Sequence, residues 1–161
     1  MDQLWSPWRY TYVSKAEPSA GCIFCEKAKQ DRDAENYVLY RGRKNFVLLN
    51  LYPYSTGHLM IAPYEHVDTL AGASQEALVE MISLTRESER HLRAVYRPQG
   101  LNIGMNIGEC AGAGVAGHIH MHVLPRWLAD SNFMTTIGET RVLPENLNTT
   151  YEKLVKVFSS G

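Results

Sequence analysis

Three histidines at alternating positions constrain the fold of this chain more than any other feature of its sequence. Residues 117–127 read GHIHMHVLPRW, in which every second residue from position 118 to position 122 is histidine and the residues between them are apolar. On a β-strand successive side chains point to opposite faces, so the three imidazoles would share one face at spacings of about 7 Å. Histidine has no strong β preference, and a row of imidazoles loses hydration unless its ring nitrogens find partners. Three histidines in register therefore predict a polar functional site on one face and a core on the other.

The histidine row is compatible with two kinds of site. Alternating imidazoles can hold a catalytic metal, since neutral imidazole is a common zinc ligand. Alternatively, one imidazole is a nucleophile, and its neighbours orient it and bind the negative charge of the group under attack. The small-residue loop AGAG at 111–114 favours the second kind, because exposed amides can bind a phosphoryl group without basic side chains. A flexible connector is the simpler explanation of the same loop.

Length and charge limit the classes of partner. The 161 residues, 45% hydrophobic and 20% charged, predict one globular domain, and the formal net charge of -1 gives no general attraction to nucleic acid or anionic membranes. The opening residues MDQLWSPWRY lack the apolar run of a signal peptide. No stretch approaches the roughly 20 apolar residues that span a bilayer. A cytoplasmic protein without a nucleic-acid or membrane partner is expected.

The first half of the chain predicts strands followed by a long helix. Short β-branched and aromatic runs, separated by turn residues, predict an antiparallel meander at 37–40, 46–50 and 58–62. Ser74 is suited to cap a helix that ends at Pro98 and Gly100. Ile82 falls on the apolar face of this helix by spacing, whereas His91 lies among Arg and Glu and is predicted to face solvent.

The second half predicts two further strands and a C-terminal helix. The strands are expected at 101–108 and 118–124, and the helix at 144–158, with a proline at its start. Strands, a helix and strands again with short connections favour an α+β arrangement of antiparallel sheet and helices over a parallel βαβ design.

The histidine pattern also carries a family resemblance. HIHMHVL resembles the signature of the histidine triad (HIT) superfamily of nucleotide hydrolases and transferases, and the similarity extends to FVLLNLYPYSTGHLMIAPYEH and NIGECAGAGVAG upstream. It covers residues 22–134. The resemblance implies an α+β HIT-like fold, with an antiparallel five-stranded sheet, one long helix and a C-terminal helix. It also implies a homodimer.

The resemblance implies a different role for each histidine of the site. The middle histidine, His120, would attack the α-phosphate of a nucleotide and form a covalent nucleotidyl-imidazole intermediate. His122 would contact the phosphate, and His118 would order the row. His58, a fourth histidine, would face the leaving group.

The resemblance also implies a nucleotide-binding set. Asn50 matches the ribose-binding Asn of the family, and Asn106 matches a polar residue near the phosphate. Dinucleoside triphosphate hydrolases of the family carry Gln and Thr in the loop before the triad, whereas this chain has Ala113 and Gly114, which offer only backbone donors. The full set is Asn50, Asn106, Gly112, Ala113, Gly114 and Val115.

The cysteines predict a metal site. An odd number of cysteines without an export signal argues against a disulfide framework, and Cys22 and Cys25 form a C-x-x-C that is either half of a zinc site or a redox pair. The redox alternative needs a thioredoxin-like βαβ setting, which the pattern lacks. In related histidine triad proteins the set is completed by positions that correspond to His66 and His118. Four such ligands close a tetrahedral site, so the zinc would be structural.

Segments at both ends resemble a longer prokaryotic branch, similar to diadenosine tetraphosphate phosphorylases. The resemblance lies in LWSPWRYTYVSK and LPRWLADSNFM. Arg126 and Trp127 in the second segment are either phosphate and stacking contacts or an edge of the sheet. The resemblance implies a single HIT domain over 1–161. Its parts are an N-terminal arm at 1–21, a core at 22–134 and a C-terminal segment at 135–161. The arm is expected to pack on the domain or on its dimer mate.

These observations predict an enzyme that transfers or hydrolyses a nucleotidyl group at the α-phosphate of dinucleoside polyphosphates. Nucleoside phosphoramidates are the alternative substrates, with the same covalent step and a different leaving group. A regulatory module that binds nucleotides without turnover is the alternative of another class. A catalytic zinc held by the triad itself is the third alternative.

Overall fold

Antiparallel pairing of five strands builds the sheet that carries the histidine row. In the computed structural model, which describes residues 21–128, 130, 135, 137 and 143–159, the strands are antiparallel neighbours in the order β1-β2-β3-β5-β4. The strands are β1 (Val38–Arg41), β2 (Asn45–Leu49), β3 (Leu59–Pro63), β4 (Gly100–Gly104) and β5 (Met121–Arg126). The helices are α1 (Ile23–Lys29), α2 (Asp33–Asn36), α3 (Gln75–Tyr96) and α4 (Leu147–Ser159), with a 3-10 turn at Glu109–Ala111.

The two faces of the sheet are covered by different helices. One face forms the main core with the long helix α3 and the C-terminal helix α4. The residues of this core include Leu39, Val47, Leu49, Leu59, Ile61, Met81, Leu92, Ile119, Val123, Leu154 and Phe158. On the opposite face, Phe24 of α1 packs on a smaller cluster of Val38, Phe46, Leu48, Met60 and Ala62. The α+β arrangement predicted from the sequence, a five-stranded antiparallel sheet with a long and a C-terminal helix, is confirmed.

The long helix begins and ends where the sequence predicts. The side chain of Ser74 accepts a hydrogen bond from the amide of Ala77 at 3.3 Å, and Arg97 closes the helix in the left-handed region at φ 47. Two predictions about its faces are wrong. Ile82 is 61% exposed, and His91 is buried against the ring of Phe158 with the ring centroids 4.5 Å apart. Packing of α4 over this part of α3 buries His91, which local charge patterning does not reveal.

The remaining boundaries differ from the predicted ones by up to four residues. The C-terminal helix begins at Leu147, because the side chain of Asn146 caps it by accepting from the amide of Thr149 at 2.9 Å. The fourth strand ends at Gly104, and the fifth begins at Met121. The N-terminal arm and most of the segment 129–142 lie outside the described residues. No helix in the described ranges has the length and apolar character to cross a membrane.

One carboxylate joins the long helix to the turn between β1 and β2. The carboxylate of Glu80 accepts hydrogen bonds from the amides of Arg43, Lys44 and Asn45 at 2.7–2.8 Å and from the side-chain amide of Asn45 at 2.9 Å. Burial alone would raise the pKa of Glu80, but these hydrogen bonds together hold the pKa below its usual value. The turn therefore depends on a side chain more than 30 residues away in sequence.

Replacement of Glu80 by Gln should destabilise the fold by about 1–3 kcal/mol at pH 7, because a Gln side chain presents an NH₂ group to backbone donors. Because the pKa of Glu80 is lower in the folded than in the unfolded state, its ionised carboxylate stabilises the fold at pH values above the unfolded-state pKa. This contribution is lost as the pH falls through the folded-state pKa. The difference between wild type and variant should therefore shrink at acidic pH. Urea unfolding of both proteins at several pH values measures it. The exposed helical residue Glu152, changed to Gln, is the control, and an equal loss in both variants would contradict the role of Glu80.

Candidate active site

The alternation of the three histidines is kept in the structure, although only His122 lies within β5. His118 and His120 precede the strand, and the amide of Ile119 between them donates to the carbonyl of Val67 at 2.8 Å. Ile119 is buried in the main core, which leaves the imidazoles on the opposite face. His118 and His120 are buried, at 1% and 4% exposed, whereas His122 is half-buried.

The hydrogen bond of His120 selects its tautomer. Its Nδ1 lies 2.9 Å from the carbonyl oxygen of His118, and a carbonyl only accepts, so Nδ1 carries the proton. Nε2 then keeps its lone pair. Burial lowers the pKa of His120, although the hydrogen bond to His118 acts in the opposite direction. A neutral imidazole with a free Nε2 lone pair has the chemistry of a nucleophile.

A chain of donors sets the tautomers of His58 and His122. The amide of Tyr54 donates to Nδ1 of His58 at 3.1 Å, and the side-chain nitrogen of Asn50 lies 3.4 Å from the same atom. The proton of His58 is therefore on Nε2, which lies 2.9 Å from Nδ1 of His122 and donates to it. The Nε2 of His122 then carries a proton and is a hydrogen-bond donor. Burial, together with the nearby His120, lowers the pKa of His122 to about 4, so the donor is a neutral imidazole near pH 7.

The first histidine of the row faces two cysteines instead. Nε2 of His118 lies 2.9 Å from the carbonyl of Pro63 and donates to it, so the Nδ1 lone pair points at the sulfurs of Cys22 and Cys25, at 3.3 and 3.7 Å. Nδ1 of His66 lies 3.3 Å from Sγ of Cys25, and all four ligand atoms are within 4.8 Å of one another. Tetrahedral zinc, with Zn–S near 2.3 Å and Zn–N near 2.0–2.1 Å, holds its ligand atoms about 3.6 Å apart. The donor set and spacing therefore fit zinc.

A cleft of about 350 Å³ borders this cluster rather than His120. His66, Val67, Asp68, Gly72 and Gly117 line it. Because the pair of Cys25 and His66 is on the exposed side of the cluster, a metal held there would be accessible to solvent.

The loop before the histidine row uses most of its amides internally. The amides of Ala111, Gly112 and Ala113 donate to carbonyls within the loop, and Gly112 adopts φ 88. The carbonyl of Gly112 also accepts from the side chain of Asn106 at 3.3 Å. Within the described parts of the chain, the amide of Gly114 has no acceptor. Of the four amides at 111–114, where the sequence predicts an anion-binding loop, three are used within the loop, and that of Gly114 is available among the described residues.

Two predicted binding residues, Asn50 and Val115, lie next to the site on different parts of the chain. Asn50 is at the end of β2 beside the ring of His58, and its side-chain oxygen accepts from the amide of Tyr52 at 2.9 Å. Val115 packs against the apolar cluster that contains Phe24. The structure thus brings His120, its neighbouring histidines and the Cys/His cluster together on one face.

Sequence reasoning missed the phenylalanine ring that lies against His120. Phe24 is 2% exposed, and its ring centroid lies 4.8 Å from that of His120 and 5.1 Å from that of His118. It excludes water from one side of both imidazoles. Its position between Cys22 and Cys25 was an available signal, since a residue inside a C-x-x-C that meets His118 must also lie near the row.

Tyr54 was also missed. Besides the hydrogen bond from its amide, its ring lies 4.8 Å from the ring of His58 and 6.2 Å from that of His122. The ring is 45% exposed, so it forms a wall of the site that is open to solvent.

Comparison with known proteins agrees with this geometry. A family model described as the HIT domain matches residues 31–127. The chain belongs to the HIT domain family. The matched residues contain the triad and His58, whereas Cys22 and Cys25 precede them.

The relatives of this HIT protein include nucleotide-processing enzymes. It is 37% identical over 157 residues to the AP-4-A phosphorylase of Mycobacterium tuberculosis, covering 93% of this chain and 80% of the relative. It is 30% identical over 93 residues to an asymmetrical bis(5'-nucleosyl)-tetraphosphatase of Schizosaccharomyces pombe, covering 58% of this chain and 50% of the relative. A Zn-bound histidine triad family protein of Mycobacterium smegmatis has a similar structure, with a TM-score of 0.70, 25% identity, and coverage of 87% and 94% of the two chains. The predicted family and fold are confirmed.

The site of this HIT protein should contain an imidazole that resists protonation. His122 should titrate near pH 4 in the folded protein, because burial and the adjacent His120 disfavour its charged form. NMR titration of the imidazole ¹Hε1 and ¹³Cε1 shifts, assigned with the His122→Gln spectrum, measures this value. Histidine in the urea-unfolded chain, with a pKa of about 6.5, is the reference. A folded-state midpoint at that reference value would contradict the assignment.

Proposed function

We propose that this HIT protein transfers or hydrolyses a nucleotidyl group at the α-phosphate of dinucleoside polyphosphates, of which diadenosine tetraphosphate is the model substrate. The observation that carries the proposal is the hydrogen bond of His120 to the carbonyl of His118, which leaves Nε2 of a neutral imidazole free to attack. The 37% identity to the AP-4-A phosphorylase of Mycobacterium tuberculosis supports this class of substrate.

The proposed reaction has two steps. In the first, the lone pair of His120 Nε2 forms a bond to the α-phosphorus, and the bond from phosphorus to the bridging oxygen of the polyphosphate breaks. In the second, an oxygen of water or phosphate attacks the same phosphorus and the P–N bond to His120 breaks. Water yields AMP and loses a proton, whereas inorganic phosphate yields ADP; from diadenosine tetraphosphate the leaving group is ATP in both cases.

The neighbours of His120 stabilise the negative charge that accumulates at the phosphorus. His122 donates its Nε2 proton in a hydrogen bond to a phosphate oxygen, and His58 holds this tautomer by donating to Nδ1 of His122. His118 contributes its carbonyl to His120. Each of these hydrogen bonds has a neutral donor. The protonation states of the imidazoles therefore stay the same over the pH range in which His122 is neutral.

The proposed nucleotide-binding set is the one predicted from the sequence. Asn50, at the end of β2, binds the ribose, and Asn106 with Gly112, Ala113, Gly114 and Val115 surrounds the phosphate. The available amide of Gly114 supports a role as phosphate donor. For Gly112 and Ala113, whose amides are used within the loop, the proposed contribution is the shape of the loop.

The variant His120→Asn should still bind AMP but lose turnover by roughly 10³-fold or more, because no group replaces the nucleophile. Initial rates with diadenosine tetraphosphate and calorimetric binding of AMP measure the two properties. His91→Asn makes the same chemical change outside the site and is the matched control. Normal turnover by His120→Asn would exclude His120 as the nucleophile.

Product analysis in the same assay separates the remaining alternatives. ADP formed only when phosphate is present identifies a phosphorylase, and AMP with ATP identifies a hydrolase. Turnover of a nucleoside phosphoramidate without turnover of the tetraphosphate would favour the alternative substrate. Tight AMP binding without turnover of either would identify a regulatory module.

We further propose that Cys22, Cys25, His66 and His118 bind one structural zinc ion. The spacing of the four ligand atoms and the hydrogen bond from His118 to Pro63, which aims Nδ1 at the sulfurs, support it, as does the Zn-bound histidine triad relative. The ion would tie the start of α1 to the segment that carries the triad. In this scheme it supplies no chemistry at the reacting phosphate.

The zinc proposal predicts about one zinc ion per chain and a lower melting temperature after chelation, since a structural zinc stabilises the folded state. Cys25→Ser should lose the metal and the effect of chelator, because it removes one of four ligands. Cys110, which is exposed and outside the cluster, changed to Ser provides the control. Metal content by mass spectrometry and thermal unfolding with and without EDTA test this. Full zinc occupancy in Cys25→Ser would contradict the ligand set.

A homodimer and a cytoplasmic location remain proposals of the same kind. Among the described strands β4 pairs only with β5, and its outer residues include Ile103, which is 46% exposed. An exposed apolar edge strand favours association with another chain. This supports a homodimer.

A further inference from the structure

The face that carries the triad continues along β5 beyond His122. Because side chains alternate, Leu124 and Arg126 lie on the same face as His122. On the neighbouring strand β4 the residues paired with these three are Gly104, Asn102 and Gly100, in that order. The strip beside the triad therefore leads from an imidazole to a guanidinium.

The guanidinium of Arg126 points back toward the triad. Its Nη1 donates to Oδ1 of Asn102 at 2.6 Å, and Asn102 is paired with Leu124, one row closer to His122 than Arg126 itself. Asp130 accepts from Nε and holds the other side of the group. At about 3.3 Å per residue, the guanidinium lies roughly two residues, or about 7 Å, along the strand from the row of His122. Nη2 has no acceptor among the residues that the structure describes.

Among the residues that the structure describes, none fills the space beside the two glycines that face His122 and Arg126. A Cβ added to Gly104, directly opposite His122, would meet no atom within 4 Å, and the same holds for Gly100. The partly exposed ring of Tyr54 stands beside His122 on the other side. A chain of phosphates leaving the α-position at His120 can therefore run over Gly104 toward Asn102.

The positive charge of Arg126 suits this strip to a negatively charged leaving group. The leaving group of a dinucleoside polyphosphate carries several negative charges, whereas the imidazoles of the row are neutral and the chain as a whole has a formal net charge of -1. Arg126 is the cation that β5 places on the triad face. An arginine fork, held by Asn102 and Asp130, has the geometry for a phosphate group.

We propose that Arg126 binds the distal phosphates of the leaving group, that Asn102 and Asp130 orient it, and that it selects polyphosphate leaving groups over amines. The inference rests on the proposed function and adds a determinant of specificity to it. The alternative is a clamp, in which Arg126 only ties β4, β5 and the segment at Asp130 together.

Two substrates of the same nucleotide separate these roles. Diadenosine tetraphosphate has a polyphosphate leaving group, whereas adenosine 5'-phosphoramidate releases an amine. In Arg126→Gln, kcat/KM for the tetraphosphate should fall about 10- to 100-fold, as expected for loss of a charged hydrogen bond. Turnover of the phosphoramidate and the Kd of AMP should be unchanged. Arg126→Lys should recover part of the loss, since it restores the charge without the planar fork.

Arg93→Gln is the matched control. Arg93 lies on α3 and its Nε donates to Glu89 four residues away at 2.8 Å, as that of Arg126 does to Asp130. This variant should behave as wild type with both substrates. Any general effect of removing an arginine from such a pair would appear in it.

The outcomes are distinguishable. Equal losses for both substrates, a weaker Kd for AMP, or no loss for either substrate would overturn the role of Arg126 while the proposed function stands. If wild type turns over the tetraphosphate but not the phosphoramidate, the Kd of AMP separates the two roles. An unchanged Kd in Arg126→Gln, together with a lower kcat/KM for the tetraphosphate, supports the role of Arg126. Wild type that turns over neither substrate would overturn the proposed function, and this inference with it.

Discussion

The hydrogen bond from Nδ1 of His120 to the carbonyl of His118 is the interaction on which the site depends. It places the proton on Nδ1 and leaves a lone pair on Nε2. The acceptor is a backbone carbonyl two residues away. The ring of the same residue, His118, points away from His120. Its Nε2 donates to the carbonyl of Pro63, and its Nδ1 faces the sulfurs of the two cysteines. Any displacement of His118 would therefore move both the Cys/His cluster and the acceptor that holds His120.

Helix α1 makes this arrangement a single packed unit. Cys22 and Cys25 meet His118, and Phe24 between them covers the rings of His118 and His120 while it also packs on the sheet. The unit excludes water from one side of the imidazoles, and this desolvation is the first cause of the lowered pKa of both His118 and His120. On the other side of the row, no described residue covers the position of Gly104, and the ring of Tyr54 is partly exposed. The site thus consists of neutral, preorganised donors, a form that stabilises negative charge without reorganisation.

Much of the fold could be predicted because local periodicity is a direct consequence of backbone geometry. The first three strands lie within one residue of their predicted ranges, and Ser74 caps the long helix as expected. The errors arise where a distant segment decides. His91 is buried because α4 packs over it, and the C-terminal helix starts at Leu147 because Asn146 supplies its cap. The amides at 111–113 are turned inward by the 3-10 turn, which composition alone does not reveal.

The sequence by itself determined the alternation of the histidines, and with it the separation of a core face from a polar face, because side-chain direction on an extended chain follows from residue parity. It also determined the family, through the spacing of the triad and the segments upstream. Only the tertiary structure decided which nitrogen of each ring is protonated, that Phe24 lies against the ring of His120, and that Arg126 reaches back toward Asn102. These features depend on distances of a few ångströms between atoms of different segments, and such distances exist only once the sheet and its covering helix have packed.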